Sequence, residues 1–173
     1  NKNFYSEIEF GNNKKVNIEF VSANPTGPIH IAHIRGAIFG DVLSNLYNKS
    51  GFNVVKEYYV NDAGSQINKL SSSLYKRYLE LFNKDILLQE DEYPGEYLID
   101  IAKEIYSIDK EKWLDKNKDE INSYFKNFAV NKILNEITTD LKLININFDK
   151  FTLESEIVNS KESLDLSQLI PLT

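Results

Sequence analysis

The two histidines of this chain stand three apart, in His30-Ile31-Ala32-His33, and the sequence contains no others. Immediately before them runs Asn24-Pro25-Thr26-Gly27-Pro28, a cluster of residues that break regular structure. If a helix opens at this point, His30 falls in its first turn and His33 one turn later on nearly the same face. A helix N-terminus adds unpaired N–H groups and about half a unit of positive charge. The chemistry this suits is the holding of phosphate. Hydrogen bonds to charged groups contribute about 1.5–3 kcal/mol each. Two that act only in a transition state would lower its barrier by about 3–6 kcal/mol, roughly 10²–10⁴ in rate. A polyphosphate between the rings would raise their pKa values and favour the charged donors. A carboxylate nucleophile would need no general base. Two alternatives remain open for the pair: capping or surface histidines, and a metal site. The spacing Pro28-x-His30-x-x-His33-x-Arg35 favours phosphate, and no further ligand cluster accompanies the pair.

The elements that must position these rings are legible on either side. Val16–Ser22 alternates apolar Val16, Ile18 and Phe20 with polar Asn17 and Glu19, which predicts a strand. A helix is expected from about Ile29 to Asn48. Its apolar stripe would be Ile31, Ile34, Ile38, Val42 and Leu46. Ser50-Gly51 stops that helix. Phe52–Val60 reads as a second strand, Asn61–Gly64 as a loop and Ser65–Phe82 as a second helix. Strand, helix, strand, helix with short loops predicts an α/β fold: a Rossmann-like parallel sheet, incomplete, with a helical insertion. Ligands of such sheets lie beyond the carboxyl ends of the strands, where the histidine motif falls.

Four segments are expected. Residues 1–15 read as a linker remnant from a missing N-terminal domain, and 16–83 as the first half of the core. Residues 84–118 read as an insertion containing one helix near Tyr97–Ile108. Residues 119–173 continue the domain through an amphipathic helix at Asp119–Leu141 and a strand or extended run at Leu143–Phe148. The tail ESLDLSQLIPLT carries no strong signal.

Composition narrows the class. With 173 residues, 42% of them hydrophobic, the chain can bury a core. It has no cysteine, which excludes disulfides and thiolate metal sites. No apolar run reaches membrane-helix length and no leader is visible, so the default compartment is the cytoplasm. A net charge of −6 does not fit an isolated nucleic-acid binder. Neither a phosphate-loop motif nor a Gly-x-Gly-x-x-Gly fingerprint occurs. Gly36 and Gly40 sit within the predicted helix, where close approach to a strand is the preferred role and approach of a ribose or adenine the alternative.

At VNIEFVSANPTGPIHIAHIRGAIFGD and EYYVNDAGSQI the chain resembles class I aminoacyl-tRNA synthetases, the arginyl type in particular. The likeness extends more weakly through YPGEYLIDIAKEI and FAVNKILNEITTDLKLININFDKF, covering about residues 14–151. It implies arginine–tRNA ligase chemistry. Arginine's carboxylate attacks the α-phosphate of ATP, and the arginyl group then passes to tRNA(Arg). By this resemblance His30 and His33 are catalytic and bind ATP, with Gly36 beside them. Glu19 and Asn24 match positions that line the arginine pocket, an exposed strand carboxylate and a loop-shaping asparagine being the alternatives; Ser22, at the loop edge, and His30 are further candidates for contact with arginine, and Mg2+ arrives through the ATP phosphates. For Arg35, holding a carboxylate within the fold is preferred over reaching phosphate. Asp62 and Gly64 match an Asn-Asp-Ala-Gly signature, with a helix cap and turn as the preferred role. Two departures stand out. Ala32 replaces the usual motif glycine, and the Lys-Met-Ser-Lys-Ser loop of the class is absent from this methionine-free chain. An excerpt of a synthetase catalytic domain, inactive alone, is therefore expected. The alternative is a truncated or decayed synthetase that serves only as a nucleotide- or RNA-binding module. Oligomeric state is not legible.

Overall fold

A computed structural model describes residues 10–84, 86–90 and 92–160. The tail ESLDLSQLIPLT and residues 1–9 of the expected linker lie outside them. The chain forms two compact units. The first comprises residues 1–23, 29–61 and 138–173, and the second residues 24–28 and 62–137.

The first unit is built on a three-stranded, all-parallel sheet of β1 (Lys15–Glu19), β2 (Asn53–Val60) and β3 (Lys150–Leu153), in the order 1-2-3. Lys15 pairs with Asn53 and Glu19 with Glu57; Glu57 in turn pairs with Lys150. Between β1 and β2 runs α1 (Ile31–Lys49). The α/β, Rossmann-like expectation is met. A short helix, α5 (Glu154–Val158), follows β3; the sequence reading did not anticipate it.

Side chains tie the three strands together at Glu57. Its carboxylate accepts from Asn17 of β1 and Thr152 of β3, and lies 3.1 Å from the Lys150 ammonium. These bonds hold its pKa down, from the usual carboxylate range to about 2. Between sheet and helix, Lys56 bridges to Asp41 at 2.6 Å. The aromatic core sets Phe20 and Tyr58 against Phe148, with ring centroids 4.6 and 5.2 Å apart.

Helix α1 meets the sheet differently from the prediction. Its buried residues are Ala37, Gly40 and Ser44, whereas Ile31, Ile38, Val42 and Leu46 of the expected stripe are exposed. Small residues allow close approach. A methyl on Gly40 would sit 2.2 Å from the Phe20 ring, so close packing is the role of Gly40. Gly36 has nothing within 4 Å of such a methyl. The helix ends as read from Ser50-Gly51. Gly51 has φ 85°, and Gly51 and Phe52 donate to the Asn48 and Tyr47 carbonyls.

The second unit is helical. It contains α2 (Ser65–Glu80), α3 (Tyr97–Asp109) and the larger part of α4 (Lys118–Leu143), whose last residues belong to the first unit. Ile67, Leu70, Leu74 and Tyr78 of α2 are buried, as are Leu98, Ile101, Ala102 and Ile105 of α3 and Phe125, Ala129 and Ile133 of α4. Trp113 stacks on Tyr124 and donates its indole N–H to Asp109 at 2.7 Å.

Of the strand or extended run expected at Leu143–Phe148, no strand is formed. Helix α4 instead continues to Leu143 and closes on Asn145, at φ 61°. Asn145 N–H donates to the Lys142 carbonyl, and Ile146 N–H to that of Leu141 at 3.0 Å. That is a Schellman stop with asparagine in the left-handed position, and its apolar partners Leu141 and Ile146 are buried. The third strand begins only at Lys150.

Candidate functional site

Strand β1 ends at Glu19, three residues short of the predicted limit. Val21 and Ser22 adopt φ values of 67° and 41°. A β-branched residue in the left-handed region is strained by about 1–3 kcal/mol, and such strain persists only where its surroundings over-determine it. Here Ser22 is held from two sides. Its hydroxyl donates to the Glu19 carboxylate and accepts the Tyr59 N–H at 2.9 Å. One residue on, the buried Tyr58 hydroxyl donates to the Ala23 carbonyl at 2.9 Å. Burial pushes the Tyr58 pKa well above its ordinary value, so it remains a donor. The carboxyl end of β2 thus shapes the exit of β1, and Glu19 is left exposed there.

His30 is the N-cap of α1, with extended backbone at φ −130°. It is exposed and His33 is half-buried. The rings stack, with centroids 3.9 Å apart and planes 28° from parallel. His30 N–H donates to Nδ1 of His33 at 3.3 Å. An accepting Nδ1 leaves Nε2 as the protonated nitrogen of a neutral His33, aimed away from the backbone. Partial burial, and then the neighbouring His30, lower the His33 pKa. Within α1, His33 shares a face with Ala37, Gly40 and Ser44 at helical spacing, which is the face packed on the sheet. The pair therefore lies at the end of α1 that follows the carboxyl terminus of β1. His33 and Ile34 N–H groups return to the His30 carbonyl, while those of Ile31 and Ala32 have no hydrogen bond among the described residues. No acidic residue occupies the first turn. The positive end of the helix is uncompensated, and an anion beside the rings would meet two imidazoles and two backbone donors.

On the face of α1 turned away from the sheet, an open cavity of about 710 Å³ is lined by Ile31, Ala32, Ile34, Arg35, Gly36 and Ile38. Gly36 and Ala32 therefore border open space, not a strand. Arg35 was expected to hold a carboxylate. It is exposed, and among the described residues no acidic partner pairs with it. The carboxylate contact expected of it is therefore not formed among the described residues.

The remaining predicted residues lie in the helical unit. Asn24 is exposed and donates to the Gln66 side chain at 3.1 Å. Gly64, at φ 87°, occupies the N-cap of α2, so the turn at this signature is confirmed while Asp62 is not the capping residue. The structure brings Glu19 and Ser22 into contact with each other, and His30 into contact with His33.

Comparison with known proteins agrees with these features. Residues 1–169 match the family described as tRNA synthetases class I (R), catalytic domain. The arginine–tRNA ligase of Anaplasma phagocytophilum is 49% identical over 156 residues, covering 90% of this chain and 26% of that protein. That of Oceanobacillus iheyensis is 44% identical over 153 residues, covering 88% and 28%. The chain thus spans about a quarter of the length of these curated relatives. Among solved structures, an assigned arginyl-tRNA synthetase from Campylobacter jejuni superposes with a TM-score of 0.76 at 34% identity, over 93% of this chain and 36% of the other. The Thermus thermophilus arginyl-tRNA synthetase shares the fold at a TM-score of 0.56 and 22% identity, over 91% and 27%.

Proposed function

This chain belongs to the family of class I tRNA synthetases (R), catalytic domain, and from that premise we propose that it forms the nucleotide-facing part of an arginine–tRNA ligase. The reaction is activation of arginine by ATP, followed by transfer to tRNA(Arg). The observation that carries this reading is the stacked His30–His33 pair on the sheet-facing side of the α1 N-terminus. Nε2 of His33 and the imidazole of His30 bind phosphate oxygens of ATP. The free N–H groups of Ile31 and Ala32 add to the same field. As charge develops on the phosphates during attack by the arginine carboxylate, these donors stabilise it. The same field favours the charged form of His33, against the lowered pKa it has in the free chain.

Gly36 and Ala32 border the cavity where a ribose or adenine packs against the helix. Glu19, oriented by Ser22, is the carboxylate that meets the ammonium or guanidinium of arginine, with His30 as a further contact. Among the described residues no cluster of three or more His, Asp or Glu is placed to hold a metal ion. Any Mg2+ enters on the phosphates of ATP, and no step is assigned to it. No helix among the described residues is long and apolar enough to cross a membrane; we place the protein in the cytoplasm.

One observation favours a second reading, a synthetase remnant that only binds nucleotide or RNA: the Ala32 methyl stands at the motif glycine position, on the cavity wall. Calorimetric titration with ATP tests the main proposal. His30→Ala and His33→Ala each weaken binding about tenfold or more, in keeping with charged hydrogen bonds of about 1.5–3 kcal/mol. Equal affinity of both variants and the wild type would overturn the proposal. Ala32→Gly tightens binding if the methyl obstructs the base.

A further inference from the structure

Helix α3 begins with Tyr97, in the run Tyr93-Pro94-Gly95-Glu96-Tyr97 that none of the roles above has absorbed. Its hydroxyl donates to the carbonyl of Thr26, in the loop that leads into the histidine pair. The ring lies along Gly27, where an added methyl would come within 3.4 Å of the hydroxyl. Gly95 leaves room for that ring, since a methyl there would stand 2.1 Å from a ring carbon. Burial raises the Tyr97 pKa to about 12, so the group donates at every physiological pH. Behind it, Leu98, Ile101, Ala102 and Ile105 anchor α3 in the helical core. The loop is pinned a second time by the bond between Asn24 and Gln66 of α2. By its contacts, the Asn24–Pro28 segment belongs to the helical unit, although the residues on both sides of it belong to the sheet unit.

We infer that Tyr97 is a positioning residue: by holding the Thr26 carbonyl and covering Gly27, it sets the path along which the chain enters His30. This rests on the assignment of His30 and His33 above, but it concerns their geometry and not what they bind. The bond spans 71 residues, so the helical insertion acts on the phosphate-binding motif through the backbone of its leading loop. Pro28 and Ile29 alone separate the pinned segment from the first ring.

The chain has only two histidines, so the imidazole C2-proton spectrum of residues 1–173 contains two signals and reports on the pair directly. Tyr97→Phe removes the hydroxyl and keeps the ring. The expected result is a displacement of both signals without nucleotide, and a His33 titration midpoint that moves up toward the ordinary imidazole value. Leu98→Val is the control. It loosens the α3 core without touching the loop and leaves both signals in place. Signals and midpoints of Tyr97→Phe that superimpose on those of the wild type would overturn the inference. If Tyr97→Phe fails to fold, Gly95→Ala keeps the hydroxyl and drives a methyl into the ring, 2.1 Å from a ring carbon; unmoved imidazoles in that variant overturn the inference equally. Failure of the wild type to bind ATP would remove the phosphate reading and leave this comparison standing, because it needs no ligand.

Discussion

Val21 holds a backbone conformation that its side chain disfavours, directly before the serine that orients Glu19. Asparagine tolerates the left-handed region, so Val21→Asn should raise the thermal midpoint; a midpoint that falls would mean the φ of 67° costs nothing. Glu57 predicts a pH dependence. Its folded pKa, about 2, lies below the unfolded value of roughly 4.3. The unfolded chain therefore takes up the proton first. The stability this carboxylate contributes is complete above that unfolded value and is lost as pH falls toward 2. Urea titrations across this window should show Glu57→Gln losing less stability with acid than the wild type. The placement of Glu19 on β1 and of the histidines at the start of α1 was legible, because apolar alternation and a breaker cluster are local signals. Tyr58 and Tyr97 were not. They act through hydroxyls on backbone carbonyls 35 and 71 residues away, and nothing local marks such a bond.

At the scale of the element, α1 shows what periodicity can and cannot say. The stripe from Ile31 to Leu46 exists, but the sheet takes the opposite, small-residue face. Apolar spacing identifies a face without naming its partner, and closeness to Phe20 required Gly40 more than it required a large side chain. Two alanine variants separate the glycines. Gly40→Ala drives a methyl into the Phe20 ring and should cost about 1–3 kcal/mol in urea denaturation, the usual cost of overpacking. Gly36→Ala meets open space and should stabilise the helix by about 0.5–1 kcal/mol. If the second variant also weakens ATP binding, Gly36 serves the ligand; if the first leaves stability unchanged, the close-packing account is wrong. The strand–helix–strand–helix order was readable from β1 to α2. The end of α4 beyond Leu141 was not legible, because its stop signal, Asn145, works only where the apolar residues Leu141 and Ile146 are buried together.

At the scale of the molecule, a parallel sheet unit carries the histidines and a helical unit carries the loop before them. The chain represents about a quarter of its relatives' length, and the lysine-rich loop of the class is not in it. We therefore expect residues 1–173 to give no ATP–pyrophosphate exchange with arginine and tRNA; robust exchange would show that this half of the site suffices. Binding is the property the chain should retain. The most direct measurement is ATP titration of residues 1–173, followed at the two imidazole C2-proton signals over a range of pH. The account predicts that both signals move with saturation and that the His33 midpoint rises in the complex. Imidazoles unmoved at saturating ATP, or a His33 midpoint that stays at its free value, would contradict it.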